Sequence, residues 1–425
     1  MSRPPSSPPR AVLVVGAGLA ATQTVAALRE RGFDGHVRVL GAEGVAPYDR
    51  PPLSKHLLDR PDPALLADEL GIDVTGLADD VRLASPVHGL AVTGQGVEAA
   101  TEDGTFTADA VVLATGARAV RPAGWEPALT LHTAADAAVL RARLRTGHRL
   151  VVIGAGWIGA EVAGVAAAAG VEVTVVEASG VPLARALGDE AGTLTEPWYA
   201  AAGVELVTGA QVVQVRADGV RLADDRVLPA DTVLAAVGAR PATAWLAGSG
   251  LPLEPDGSLR VDEGYAVLGA PPSVRAVGDV ALRRSARHGW VPGGHWDAAL
   301  RGPATMVDAL LSVPDGPGST GGTGGTGPTL EDLAPYVFST QLGHELALVG
   351  QRRPGDELVL RGDPAGPDGW TALWCAGDEV SAVLSVDRPR DVAAARRAFS
   401  HAGLPRVDTS ALRDLDRPLR DALHG

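Results

Sequence analysis

Cysteine is all but missing from this chain: Cys375 is the only one among 425 residues. A single thiol excludes an intramolecular disulfide, a Cys-rich metal site and an internal dithiol couple, so any redox chemistry has to run through a bound cofactor. Long apolar runs are missing too. Apolar residues make up 46% of the sequence, yet they come in short bursts, well below the roughly 20 consecutive positions that a membrane helix needs. The chain therefore reads as soluble, with no membrane partner. Excess positive charge is the third absence. A net charge of −14 supplies no broad positive field for nucleic-acid phosphates, although it leaves room for a local basic patch. The opening "MSRPPSSPPR" has no apolar stretch of its own, so it reads as a disordered tail and not as a secretory signal. The expected location is the cytoplasm. At this length a single core stops growing, and two or three domains are expected.

What is present begins with "AVLVVGAGLAATQTVAALRERG", a buried strand, a glycine turn and an Ala-rich helix, followed by a second apolar strand in "HVRVLG". That is a βαβ unit. The same grammar returns in "RLVVIGAGWIGAEVAGVAAAAGVEVTVVEAS", with a strand over 150–153 and a helix over 157–169. Between the two units, short β-rich runs alternate with Gly/Asp turns and lead back to a strand at 110–114; a shorter version recurs over 204–238. The halves look like an internal duplication. After "VRAVGDVA" and a helix expected over 297–311, residues 313–328 are nearly all Gly, Ser, Thr and Pro, the composition of a flexible linker. Beyond it, several β-rich runs and "DVAAARRAFSHAG" predict an antiparallel sheet and a helix.

Gly16, Gly18 and Ala21 form G-x-G-x-x-A, and Gly154, Gly156 and Gly159 form G-x-G-x-x-G. In such a motif the first glycine permits the tight turn and the second lets the backbone approach a pyrophosphate. The third position admits close packing of helix on strand. One copy alone is weak evidence, because glycine turns also arise for steric reasons; two copies in strand-turn-helix context are far stronger. Glu177 ends the second strand of the second unit, 18 residues after Gly159, where an acid meets the adenosine ribose. The "ASG" that follows holds no arginine for a 2′-phosphate, which favours NADH over NADPH. In the first unit the candidate is Glu43, slightly past the strand end, where a solvated loop acid is an equally simple reading.

"VVLATGA", with Thr115 and Gly116, and "VRAVGDVA", with Gly278 and Asp279, resemble two further signatures of FAD-dependent pyridine nucleotide reductases, in which the Asp binds the ribityl chain. "YDRPPLSK", Tyr48 to Lys55, resembles the flavin-facing loop of the oxygenase-coupled NADH-dependent ferredoxin reductases, a family that includes rubredoxin reductases and relatives of apoptosis-inducing factor. "GAGWIGAEVA", "VGARP" and "HWDAA" carry the same resemblance. It implies a glutathione-reductase-like α/β fold: two doubly wound FAD/NAD(P)-binding domains plus a C-terminal α+β interface domain. The FAD domain would comprise 10–118 and 239–312, with the NADH domain over 119–238 between them and the last domain over 329–425.

The resemblance also implies the site. Arg50, Pro51, Lys55, Val87, Ala114, Thr115, Gly116, Asp279 and Trp296 would join Gly16, Gly18, Ala21 and Glu43 around FAD. Ile158, Arg185 and Gly238 would join Gly154, Gly156, Gly159 and Glu177 around NADH. The two prolines would offer the flavin a rigid apolar surface, and Lys55 would stabilise its anionic reduced form. Glu161, expected in the first turn of the second nucleotide helix, would repel a pyrophosphate unless a cation paired with it; the resemblance implies a catalytic pair of Lys55 and Glu161. Trp296 would stand at the flavin's pyrimidine end, though a core tryptophan reads as simply, and His288 and His295 are taken as non-metal. Two positions depart from the family pattern: Gly294 and Thr340 stand where acids are common.

The implied activity is that of an NADH-dependent flavoprotein that passes electrons, singly, to a ferredoxin or similar small iron-sulfur protein serving an oxygenase such as a cytochrome P450. A rubredoxin reductase, or an NADH-binding redox sensor, is the alternative, as a monomer or a homodimer. "RRSARHGW" sets Arg283, Arg284 and Arg287 between Asp279 and Trp296, a basic patch suited either to an acidic ferredoxin or merely to solvating a loop.

Overall fold

The computed structural model describes residues 8–94, 96–312, 330–412 and 414–425. Residues 1–7 of the tail expected over 1–10, and the linker over 313–328, lie outside the described residues, whereas the Arg10 amide donates to Asp109 Oδ2 at 2.7 Å. The chain forms two compact units. The first takes the described residues of Met1–Asp49, Ala64–Ala117 and Arg240–Pro335; the second takes Arg50–Pro63, Arg118–Ala239 and Tyr336–Gly425.

In the first unit, Ala11–Val15 lies at the centre of a five-stranded sheet, paired in parallel with His36–Leu40 and with Ala110–Leu113. Val12 to Val15 and Ala110 to Leu113 are buried throughout, which is why both strands read as continuous apolar runs and not as alternating ones. Val274–Ala276 and Asp80–Arg82 complete the sheet at its two edges. Helix Leu19–Glu30 buries Ala20, Ala21, Val25 and Leu28 and stops at Gly32, whose φ of 73° suits the left-handed turn that closes a helix. Helix Trp296–Leu311 packs against it, burying Met306, Val307 and Leu310. The expected meander is present as the antiparallel strands Gly89–Thr93, Gly96–Thr101 and Gly104–Ala108.

The arginine run is mostly buried and ion-paired, unlike the open basic patch that its sequence suggests. Arg283 and Arg287 are only 5% and 9% exposed. Arg283 donates to Asp332 Oδ1 at 2.8 Å and to the Leu333 carbonyl at 2.6 Å, Arg287 also pairs with Asp332, and Arg284 grips Glu263 with two 2.8 Å hydrogen bonds. Burial pushes the Asp332 carboxyl up, but the hydrogen bonds from Arg283 and Ser285 and the charges of Arg283 and Arg287 outweigh it and hold the group below its usual range. Arg283 and Arg287 are thus neutralised inside their own unit, and the more exposed Arg284 is paired with Glu263.

The second unit repeats the first sheet in shorter form. Arg149–Ile153 pairs in parallel with Glu172–Val176 and Thr232–Ala235, and Glu205–Val207 extends the edge. Helix Trp157–Ala168 covers it, burying Ala160, Val162, Ala163 and Ala166. The same unit contains a seven-stranded sheet built mainly of Tyr336–Gln341, His344–Gly350, Glu379–Val386, Trp370–Ala376 and Glu357–Gly362. Trp370, Trp374 and Leu384 of that sheet share a core with Leu183, Leu187 and Trp198, so the helices following Glu177 are packed directly on it.

Candidate active site

The two glycine loops share one geometry. Gly16 and Gly154 have φ of 119° and 106°, and a Cβ on them would lie 2.1 Å from the Ala114 carbonyl oxygen and 2.5 Å from that of Ala236. Only glycine fits either turn. Gly18 and Gly156 cap the two helices in an extended conformation without a side-chain cap, and a Cβ there would meet nothing within 4 Å. Each helix thus presents uncapped backbone N–H groups to open space, which fits the pyrophosphate of a dinucleotide such as FAD or NADH. At the third position the loops differ. A Cβ on Gly159 would fall 2.0 Å from the Gly154 carbonyl oxygen, whereas the first helix accommodates the fully buried Ala21.

Glu177 follows its strand directly and lies across the second loop: Oε2 accepts from the Ala155 amide at 2.7 Å and Oε1 from the Ser179 amide at 2.8 Å. Among the described residues the first unit has no equivalent carboxylate. The amides of Gly16 and Gly154 donate to Leu40 and Val176, which makes Gly41 the counterpart of Glu177, and a Cβ at Gly41 would lie 2.8 Å from the Ala17 Cβ. Glu43 is two residues further on, exposed, and accepts from the Tyr48 hydroxyl at 2.6 Å.

Ala114, Thr115 and Gly116 follow strand Ala110–Leu113; the Thr115 hydroxyl donates to the Ala242 carbonyl at 2.9 Å, and Gly116 has φ of 68°. Gly238, with φ of 109°, follows Thr232–Ala235 in the second unit. Asp279 sits in a single turn over Gly278–Val280 and accepts from the Gly294 amide at 3.1 Å. Trp296 opens its helix and donates from Nε1 to Asp49 Oδ1 at 2.7 Å. Beside it, burial lowers the His295 imidazole from 6.5 to about 4, and among the described residues its buried Nδ1 has no hydrogen-bond partner. Val87 packs half-buried against the first unit's core. Ile158 is 43% exposed, and Arg185 is exposed as well.

The "RPPLSK" stretch belongs to the second unit. Its prolines open a one-turn helix, Pro52–Lys55, where their missing amides cost nothing because first-turn N–H groups have no partner in any case. Arg50 donates to the His132 carbonyl at 2.5 Å, and Arg141 donates to the Leu57 carbonyl at 2.6 Å. So held, the turn directs Ser54 and Lys55 at one carboxylate. Lys55 Nζ pairs with Glu161 Oε1, and Ser54 Oγ donates to Oε2 at 2.5 Å. The Lys55 and Glu161 side chains are 11% and 6% exposed. Trp157 begins the helix, so Glu161 lies one turn deeper than the first-turn position expected of it.

Two members of this cluster escape sequence reasoning. Ser339 Oγ donates to Glu161 Oε1 at 2.5 Å, and Gln341 Nε2 donates to Ser339 Oγ at 3.0 Å. Their signal was two polar residues at a spacing of two in a strand, which places both on one face. Lys55 Nζ also stands 5.3 Å from the centre of the Phe338 ring.

The ferredoxin–NAD(+) reductase component of the anthranilate 1,2-dioxygenase system of Burkholderia cepacia is 33% identical to this chain over 411 residues, covering 92% of this chain and 95% of the relative. The crystal structure of Fdr9 matches with a TM-score of 0.86 and 38% identity over 96% of this chain and 99% of that one. The reductase of a covalent putidaredoxin reductase–putidaredoxin complex matches with a TM-score of 0.82 and 27% identity over 97% of each. Residues 336–423, which include Ser339 and Gln341, fit the reductase C-terminal model. Both glycine loops, Lys55 and Glu161 fall within residues 10–302, which match the pyridine nucleotide-disulphide oxidoreductase model, and the chain belongs to that family.

Proposed function

We propose that the protein is an FAD-dependent oxidoreductase that takes electrons from NADH and delivers them to a ferredoxin-type iron-sulfur protein serving an oxygenase. One observation carries the choice within the family. The lone thiol, Cys375, is 3% exposed and burial, reinforced by Asp356 and Glu357, pushes it up to about 11, so it is neither half of a disulfide nor a nucleophile at neutral pH. This removes an internal thiol as the electron acceptor, and in our reading the electrons that enter through a nicotinamide leave the flavin for a partner. The dioxygenase-system relative and the putidaredoxin complex supply the kind of partner, a small iron-sulfur protein.

In this reading Gly16, Gly18 and Ala21 hold the FAD pyrophosphate, with Glu43 on the ribose side. Arg50, Pro51, Lys55, Val87, Ala114, Thr115, Gly116, Asp279 and Trp296 serve the rest of the flavin nucleotide. Gly154, Gly156, Ile158, Gly159, Glu177, Arg185 and Gly238 serve NADH. FAD, when bound, supplies the conversion of a two-electron hydride into single electrons. The chain's own part is to hold the nucleotides and, through Lys55 with Glu161, to set the charge that the reduced flavin meets. The domain boundaries that go with this reading are 10–118 with 239–312 for FAD, 119–238 for NADH and 329–425 for the C-terminal domain. Among the described residues no helix is long and apolar enough to cross a membrane, and we place the enzyme in the cytoplasm.

The test is a stopped-flow experiment on the FAD-loaded protein. NADH is expected to bleach the flavin, and an oxidised [2Fe–2S] ferredoxin is expected to restore its colour at a rate that rises with ferredoxin concentration. A reduced flavin that persists equally with and without ferredoxin would overturn the assignment in favour of a redox sensor.

A further inference from the structure

Glu161 is a buried carboxylate whose oxygens accept from three side chains drawn from two separate parts of the second unit. Lys55 Nζ and Ser339 Oγ share Oε1, and Ser54 Oγ takes Oε2. Ser54 and Lys55 are neighbours on one helical turn. Ser339 comes from strand Tyr336–Gln341 of the seven-stranded sheet, and nothing in the motifs that implied the Lys55–Glu161 pair calls for it.

The direction of each hydrogen bond is fixed by elimination. A carboxylate only accepts, so the Ser339 hydroxyl spends its one proton on Glu161. The Ser339 oxygen then has only lone pairs left to offer, and the atom facing it at 3.0 Å must be a donor, the Gln341 amide nitrogen. Ser339 and Gln341 are each 1% exposed, so bulk water does not compete for these positions. A charge-assisted hydrogen bond in such a place is about twice as strong as a neutral one. Gln341, Ser339 and Glu161 thus form a line of donors that all point one way and end on the oxygen that also faces Lys55.

We infer that Ser339, oriented by Gln341, is a positioning residue for the Lys55–Glu161 pair: it draws part of the Glu161 charge to itself and so sets how much of the lysine's positive charge acts on the flavin. This rests on the reading above that Lys55 stabilises the reduced flavin. It gives the C-terminal sheet a part in tuning the chemistry.

The measurement is the midpoint potential of the flavin in the FAD-loaded protein, with flavin content and melting temperature as controls. Ser339→Ala removes one competitor for Glu161, the carboxylate neutralises Lys55 more fully, and the potential falls. Glu161→Gln leaves the lysine uncompensated, and the potential rises. Ser339→Thr keeps the hydroxyl and holds the wild-type value. Bleaching by NADH slows in Ser339→Ala by up to about tenfold, the scale of one charge-assisted hydrogen bond. Gln341→Met, which frees the hydroxyl to turn away, shifts the potential in the same direction as Ser339→Ala and serves if that variant fails to retain FAD. If Lys55→Met and Glu161→Gln move the potential while Ser339→Ala and Gln341→Met do not, the inference falls and the reading of the pair stands. If none of the four moves it, both fall.

Discussion

The amides of Gly16 and Gly154 each donate at 2.8 Å to the last residue of the neighbouring strand, Leu40 and Val176, yet the next residue is Gly41 in one unit and Glu177 in the other. At Gly41 a side chain has no room beside Ala17; at the equivalent place in the second unit a carboxylate braces the loop through Ala155. A coenzyme that is exchanged at every turnover has to be chosen repeatedly, and an acid that accepts ribose hydroxyls while repelling a 2′-phosphate makes that choice. A resident nucleotide is selected once and needs no such gate. The two units share their turn chemistry and differ at the residue that, in the proposed reading, discriminates between coenzymes.

The most severe way to break the comparison is to fill the first turns. Gly16→Ala puts a Cβ against the Ala114 carbonyl at positive φ, and the protein is expected to purify without FAD, read as flavin absorbance per chain. Gly154→Ala is expected to keep its flavin and to raise the KM for NADH about a hundredfold, as ~3 kcal/mol of backbone strain implies. Equal loss of flavin in both would mean that the loops do not serve different nucleotides.

Acid should distinguish the first unit through His295. Its folded pKa of about 4 lies below the ordinary 6.5 because of burial. The stability tied to the neutral imidazole is therefore fully present above pH 6.5 and is lost as pH falls from there to about 4, by ~3 kcal/mol at most. Urea midpoints followed by flavin fluorescence should drop over that window, and His295→Asn should flatten the dependence. A wild-type midpoint that stays level from pH 7 to about 4.5 would remove His295 from the argument.

Smaller effects sharpen the contrast between the acids. Glu177→Ala is expected to reduce the preference for NADH over NADPH, measured as the ratio of kcat/KM values, by about 10- to 100-fold, the worth of one or two hydrogen bonds to a charged group. Glu43→Ala, at an exposed position, is expected to change FAD retention in dialysis by less than about threefold. A larger effect from Glu43 than from Glu177 would invert the comparison.

Much of this was legible in the sequence because its causes are local. The buried runs Val12–Val15 and Leu150–Ile153, the glycine turns and the strand-end Glu177 each follow from a few adjacent residues. The exposed basic patch was misread for the opposite reason: Arg283 and Arg287 are neutralised by Asp332, which lies on the far side of the Gly/Thr-rich run. The prolines of "RPPLSK" were read as a surface for a ring, and the structure adds that they start the turn that delivers Ser54 and Lys55. Gly41 was invisible as the counterpart of Glu177, since only the hydrogen bonds of Gly16 and Gly154 align the two units.

The distances along the chain within the Glu161 cluster bear on when the site comes into being. Its partners lie 106, 107 and 178 positions away in sequence, whereas Glu177 reaches the second glycine loop from only 22 positions away. Contacts so remote form late, after the cost of closing long loops has been met. On the ribosome, a chain that has emerged only through residue 300 holds both nucleotide loops, Lys55 and Glu161, but not the strand that orients the carboxylate. Nucleotide binding is therefore expected to mature before the inferred tuning of the flavin does, and a protein truncated before Tyr336 would keep its two glycine loops without the serine that donates to Glu161.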